Sequence, residues 1–158
     1  MTSLYQSMIA QASMGRMLSD REVSRFLPDQ IRQTIAELVE QNQLALADAL
    51  SNAGLSLYPQ SEEILAISAL LAEVRQDWLT AGNLLEQLID LQDGRTPVAT
   101  WQHWIRVLRC QCEPVAALHA AECALTIYAD NPVLLGEKQS LKALLSNNHA
   151  HEAAANTH

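Results

Sequence analysis

"LVEQNQLALADALSNAGLSLYP" (residues 38–59) runs from a helix-like stretch, through a polar break at Gln41-Asn42-Gln43, into an Ala/Leu-rich stretch closed by Pro59. Such a segment is either a single helical hairpin or one unit of a series, and the two alternatives lead to different folds. Moved forward along the chain, it finds partners. Ala47, followed by Ser51, Gly54 and Pro59, is matched 34 residues later by Ala81, followed by Leu85, Leu88 and Asp93. A further 36 residues on stands Ala117, followed by Ala121, Ala124 and Ala129. The two extra residues fall in Asp93-Gly94-Arg95-Thr96-Pro97, a loop by composition.

The stretches before these alanines align as well. Ile31, Thr34, Ile35 and Leu38 precede Ala47; Leu65, Ser68, Ala69 and Ala72 precede Ala81; Trp101, Trp104, Ile105 and Leu108 precede Ala117. Each set has the spacing that lines one face of a helix. The polar breaks also correspond: Glu40–Gln43, Val74–Asp77 and Cys110–Glu113. A hairpin of this length cannot bury its apolar face alone, so stacked neighbours must complete the core. Small residues such as Ala69, Ala81, Ala117 and Ala124 let helices approach, and Leu85, Leu88, Trp101 and Trp104 fill the adjoining gaps.

Composition agrees. Of the 158 residues, 49% are apolar, mostly Leu and Ala, with one Phe, three Tyr and three Trp. That balance disfavours a sheet and favours an all-helical chain. The formal charge of −8 argues against nucleic acid or an anionic membrane as partner. Three cysteines, Cys110, Cys112 and Cys123, form no disulfide framework. The first residues lack the charged start of a secretory signal, and no apolar run approaches a membrane span. A cytoplasmic location is expected.

The period of about 34 with this internal spacing resembles the tetratricopeptide repeat, whose pattern is W-x2-L-G-x2-Y, then Ala, then Pro. The resemblance covers residues 28–131. Gln41–Ala47 and Arg75–Ala81 look like the turn that enters the second helix of a repeat, and Cys123–Pro132 looks like its end. Only Trp101 supplies the leading Trp; Ile35 and Ile105 stand where a small residue is usual, and Gly54 where Ala is usual. The resemblance implies an all-α fold: an α-solenoid of about three helical hairpins (28–61, 62–97 and 98–131) in a single domain over 1–148, seven or eight helices in all. N- and C-terminal helices cap it. Leu4, Met8, Ile9 and Ala12 form one face near the N-terminus, and Ser19–Ile31 leads as a capped turn into the first repeat. Asn131-Pro132 starts a helix to about 146, and 149–158 reads as a frayed tail.

Proteins of that family bind peptide segments of partners in a concave groove lined by the first helix of each repeat. Carried over, the resemblance puts Arg32, with Ala36 and Val39, on that face in the first unit. It adds Ala66, Leu70 and Glu73 in the second, and Gln102, Arg106 and Arg109 in the third. The Lys and Asn pairs of the chaperone-tail clamp are missing. Arginines at the ends and Ala/Leu at the middle suit an extended apolar segment with an acidic flank, although Arg106 and Arg109 could equally pair with Glu73 or another carboxylate of the preceding unit. In architecture and acidity the chain is similar to class II chaperones of type III secretion translocators. Two roles follow: a binding module, as adaptor or secretion-type chaperone, or a structural, oligomerising scaffold subunit, including a homodimer, that uses its convex face or N-terminal helix.

No catalytic signature stands against this. Glu62-Glu63 suits a helix N-terminus, and there is no Gly-rich phosphate loop or nucleophile elbow. No enzyme and no cofactor are expected. Cys110-x-Cys112 with His103 and His119 lacks a second Cys pair at zinc spacing, so no metal site is expected there. Adventitious metal is left to the tail histidines 149, 151 and 158. Trp78 and Trp101 read as packing residues; Trp104 is open between packing and a ligand-stacking platform.

Overall fold

The computed structural model describes residues 2–156, and among these it is helical without a strand. Among the described residues nine helices follow one another: α1 (Leu4–Ser13), α2 (Asp20–Val23), α3 (Pro28–Glu40), α4 (Leu44–Leu57), α5 (Glu62–Val74), α6 (Trp78–Gln92), α7 (Val98–Cys110), α8 (Pro114–Ile127) and α9 (Pro132–Ala155). The one-turn helix α2 takes the number past the expected seven or eight. The chain divides into two compact units, Met1–Leu91 and Gln92–His158.

The repeat survives in the backbone. The turn after α3 places Asn42 in the left-handed region, with φ 55°. There the Gln43 N–H donates to the Leu38 carbonyl at 2.7 Å, and the Asn42 N–H to that of Val39 at 3.0 Å. This pair of bonds is a Schellman motif, which satisfies carbonyls that a helix end would otherwise leave open. Gln76 (φ 59°) and Cys112 (φ 60°) take the same conformation 34 and 36 residues further on. Asp77 bonds back to Ala72 at 2.9 Å, and Glu113 to Leu108 at 3.0 Å. Each turn then launches a second helix whose first buried alanine, Ala47, Ala81 or Ala117, has no exposed surface.

In the first unit α3 packs on α4 and α5, α4 on α5, α1 on α3 and α2 on α4. Ile31, Ile35, Leu38, Leu50 and Ile64 are fully buried and are joined by Leu4 and Met8 of α1 and by Val23 of α2. The N-terminal helix is held by a capping box between Ser3 and Gln6, and α2 by one between Ser19 and Glu22. The Ser19 backbone N–H, followed by its hydroxyl, holds the Glu22 carboxyl below its ordinary value. Asp77, ahead of α6, is lowered by the Thr80 hydroxyl and then by the Thr80 N–H, which donates to it at 3.1 Å. The helices come close at Gly54, where an added Cβ would lie 3.3 Å from Ile31 Cγ2 and from two atoms of Ile64. Beside it the Ser51 hydroxyl donates to Ser68 Oγ at 2.7 Å, a buried bond between α4 and α5.

The second unit packs α8 against both α7 and α9. Alanines make this close contact possible: Ala117, Ala120, Ala121 and Ala124 of α8 are all buried. Trp101, Ile105 and Leu108 come from α7, and Leu134 and Leu141 from α9. Asn131 caps α9, accepting from the N–H groups of Val133 and Leu134 at 3.1 Å each. Within both units a tyrosine that ends the second helix ties back to the start of its own hairpin. Tyr58 Oη donates to the Phe26 carbonyl at 2.8 Å, and Tyr128 Oη to that of Thr96 at 2.9 Å.

The last helix has the register of a further first helix. Its Leu134 and Leu141 match Ile64 and Leu71 of α5 and are buried like them, whereas Gln139 and Lys142, which match Ile105 and Leu108, are exposed. The sequence predicts an end near 146, but α9 continues to Ala155. Helix therefore covers most of the stretch read as a frayed tail; His149–Ala155 is rich in Ala, the best helix former, and needs no burial to continue a helix already begun. His149 and His151 lie on that helix, and His158 lies outside the described residues.

Candidate functional site

In the first unit the expected positions lie along α3 and α5. Arg32 is half-buried and paired with Asp29, one turn before it, at 2.9 Å. Asp29 also accepts from Gln33 at 3.1 Å, so the Arg32 charge is held locally. On α5, Ala66 and Glu73 are half-buried. Leu70 is 44% exposed, and Val74, one turn further on and not singled out by the sequence, is 54% exposed. Ala66, Leu70 and Val74 recur every fourth residue and so share one face of the helix. The partly exposed apolar face thus runs one turn past Leu70, to Val74.

In the second unit Gln102, Arg106 and Arg109 converge. With Cys110 of α7 and Glu137 of α9 they line an open depression of about 430 Å³. Arg106 is exposed, whereas Gln102 and Arg109 are half-buried. Arg109 Nε and Nη2 donate to Glu137 Oε2 at 3.1 and 2.9 Å, and Nη2 also donates to Ser140 Oγ at 3.1 Å. The carboxylate that Arg109 meets is thus on α9, two helices further on. A clue lay in the register, which makes α9 a further first helix beside α8.

The aromatic residues sort as follows. Trp101 is buried, and Trp104, half-buried, stacks on it with ring centroids 6.0 Å apart and an interplanar angle of 27°. Trp104 therefore backs the packing of Trp101. Cys110 and Cys112 are exposed free thiols, and Cys123 lies 3.6 Å from His119 Nε2. Among the described residues no three His, Cys, Asp or Glu side chains gather as they would around a metal ion. No helix among them is long and apolar enough to cross a membrane.

The arrangement offers two kinds of recognition: apolar contact along α5, and guanidinium groups around the α7 depression for an acceptor-rich ligand. No family model matches the chain, and no curated protein matches it.

Proposed function

We propose that this chain is a non-enzymatic, tetratricopeptide-like binding module of the cytoplasm. In this reading it holds an extended segment of a partner protein against the exposed faces of its first helices, as an adaptor or a secretion-type chaperone. The observation that carries the reading is the Leu70–Val74 pair. Two large aliphatic side chains lie one turn apart, each about half exposed, beside the half-buried Ala66. Burying an exposed Leu or Val completely is worth about 1.5–3 kcal/mol, so covering the exposed halves of both contributes roughly 1.5–3 kcal/mol. The second unit by itself offers an arginine-lined depression suited to acceptor groups. Hydrogen bonds to a charged group contribute about 1.5–3 kcal/mol each when the partner is desolvated.

The test is a binding measurement with a partner identified by co-purification and reconstituted from pure components. Leu70→Ser with Val74→Ser should weaken binding at least tenfold by isothermal titration, with the melting temperature within a few degrees of the parent chain. Unchanged affinity would sink the assignment of α5.

A second reading, the oligomerising scaffold, draws on Leu79 and Val115. They hold the same register place on the second helices α6 and α8 and are 70% and 67% exposed. If that reading holds, light scattering will show a defined oligomer that Leu79→Ser or Val115→Ser dissociates.

A further inference from the structure

We infer that Glu137 is a built-in competitor for the arginine depression of the second unit, occupying the place that a carboxylate of the bound segment takes. The inference rests on the binding reading given above. It concerns how tightly that site holds an acidic ligand.

Three observations carry it. First, Glu137 reaches the side of the Arg109 guanidinium formed by Nε and Nη2, at 3.1 and 2.9 Å, and both donors meet the single atom Oε2. That edge is the one a carboxylate grips with two oxygens, so a ligand carboxylate would make the better fork there. Second, the pair is open to exchange. The two side chains are 31% and 33% exposed, and both line the depression with Gln102 and Arg106. Water and ligand therefore reach the contact from the same side. Third, Glu137 is carried by α9, which packs on α8 and buries Leu134 and Leu141, one turn before and one turn after Glu137 on the same side of the helix. The two leucines hold that contact in addition to the ion pair.

A ligand carboxylate adds a negative charge beside the tethered Glu137, so entry costs the Glu137 contact together with the repulsion between the two carboxylates. The consequence is selective. An acidic segment must displace Glu137, whereas a segment without carboxylates leaves it where it is. In an acidic chain such a device keeps the arginine edge from being taken by weak anionic ligands.

The experiment uses the full chain and two fluorescein-labelled twelve-residue peptides, one alternating Leu with Asp and one alternating Leu with Asn, followed by fluorescence anisotropy at low and moderate salt. Glu137→Gln keeps the size and an acceptor oxygen while removing the charge. It should bind the Asp peptide at least threefold more tightly than the parent chain, and more steeply with falling salt, with the Asn peptide unaffected. In an Arg109→Ala background the same change should alter affinity less than twofold. Glu137→Ala serves as a second variant, and thermal melts confirm that both are folded. If the parent chain binds the Asp peptide and Glu137→Gln binds it equally or less tightly, the competitor role is wrong and the binding reading stands. If neither chain binds the Asp peptide, the depression is no carboxylate site and both fall.

Discussion

Gly54 offers a sharp measure of how closely the helices of the first unit approach. A Cβ placed there would stand 3.3 Å from Ile31 Cγ2, Ile64 Cδ1 and Ile64 Cγ2, and both isoleucines are fully buried. Contacts of that length require the neighbours to yield by a few tenths of an ångström. For Gly54→Ala, the helix propensity gained is about 0.8–1.0 kcal/mol. The three tight contacts oppose it by a similar amount, so the net change is within about 0.5 kcal/mol of zero. Gly54→Leu adds three more carbons to the same gap, and overpacking of that kind costs about 1–3 kcal/mol. With its share of the propensity gain already spent on the first carbon, the leucine variant should lose about 2 kcal/mol. In urea, with a slope of about 2 kcal/mol/M for a chain of this size, that is a midpoint about 1 M lower. Far-UV circular dichroism through a urea series gives the midpoints of all three chains. The comparison has a built-in contrast, because Leu88 holds the register place of Gly54 in α6 and is buried there. A leucine variant with a midpoint equal to or above the parent's would show that α3, α4 and α5 do not meet at Gly54.

Three further outcomes are expected. Ala81→Arg and Ala117→Arg each force a long cation into a seam with no exposed surface, and each should cost at least about 3 kcal/mol, visible as a collapsed thermal melt. Tyr128→Phe removes the bond to the Thr96 carbonyl at 2.9 Å and should lower stability by about 1 kcal/mol in urea, with Tyr58→Phe similar. Asp77 is held below its ordinary value by Thr80, so its contribution is present above the unfolded carboxyl value of about 4 and is lost as pH falls through the folded one. Between pH 5 and pH 2.5 the melting temperature of Asp77→Ala should therefore decline less steeply than that of the parent chain.

The helices and their register were legible because they rest on local chemistry. The alanines at 47, 81 and 117 and the polar breaks before them recur in the sequence, and the three left-handed turns at Asn42, Gln76 and Cys112 fall inside those breaks. Caps such as Ser19 and Asn131 announce themselves by residue type. The site was legible in part. Periodicity placed Leu70 outward, but it gave no reason to extend the face to Val74, whose exposure depends on where α5 ends. The partner of Arg109 was legible only through the register of α9. Glu137 lies 28 residues away on another helix, and the rotation of that helix is fixed by Leu134 and Leu141 against α8. The end of α9 was not legible for a different reason: His149–Ala155 has no apolar period and is helical by propensity without burial. The tyrosine ties show a similar gap, since the recurrence of Tyr58 at Tyr128 is visible in the sequence but the carbonyls they reach are not.

The exposed Gln139 and Lys142 of α9 bear on what can pack against that side of the helix. At the same register places, α7 buries Ile105 and Leu108. A helix with an apolar side there would be an open end, ready to accept the hairpin of another molecule and then another, as repeat arrays without capping units do. An amide and an ammonium group at those places make each added hairpin bury polar groups without partners, which is costly. Two residues thus make that side of α9 unfavourable for a further hairpin. Replacing both, Gln139→Ile with Lys142→Leu, would make it apolar, and self-association rising with concentration is then expected by light scattering.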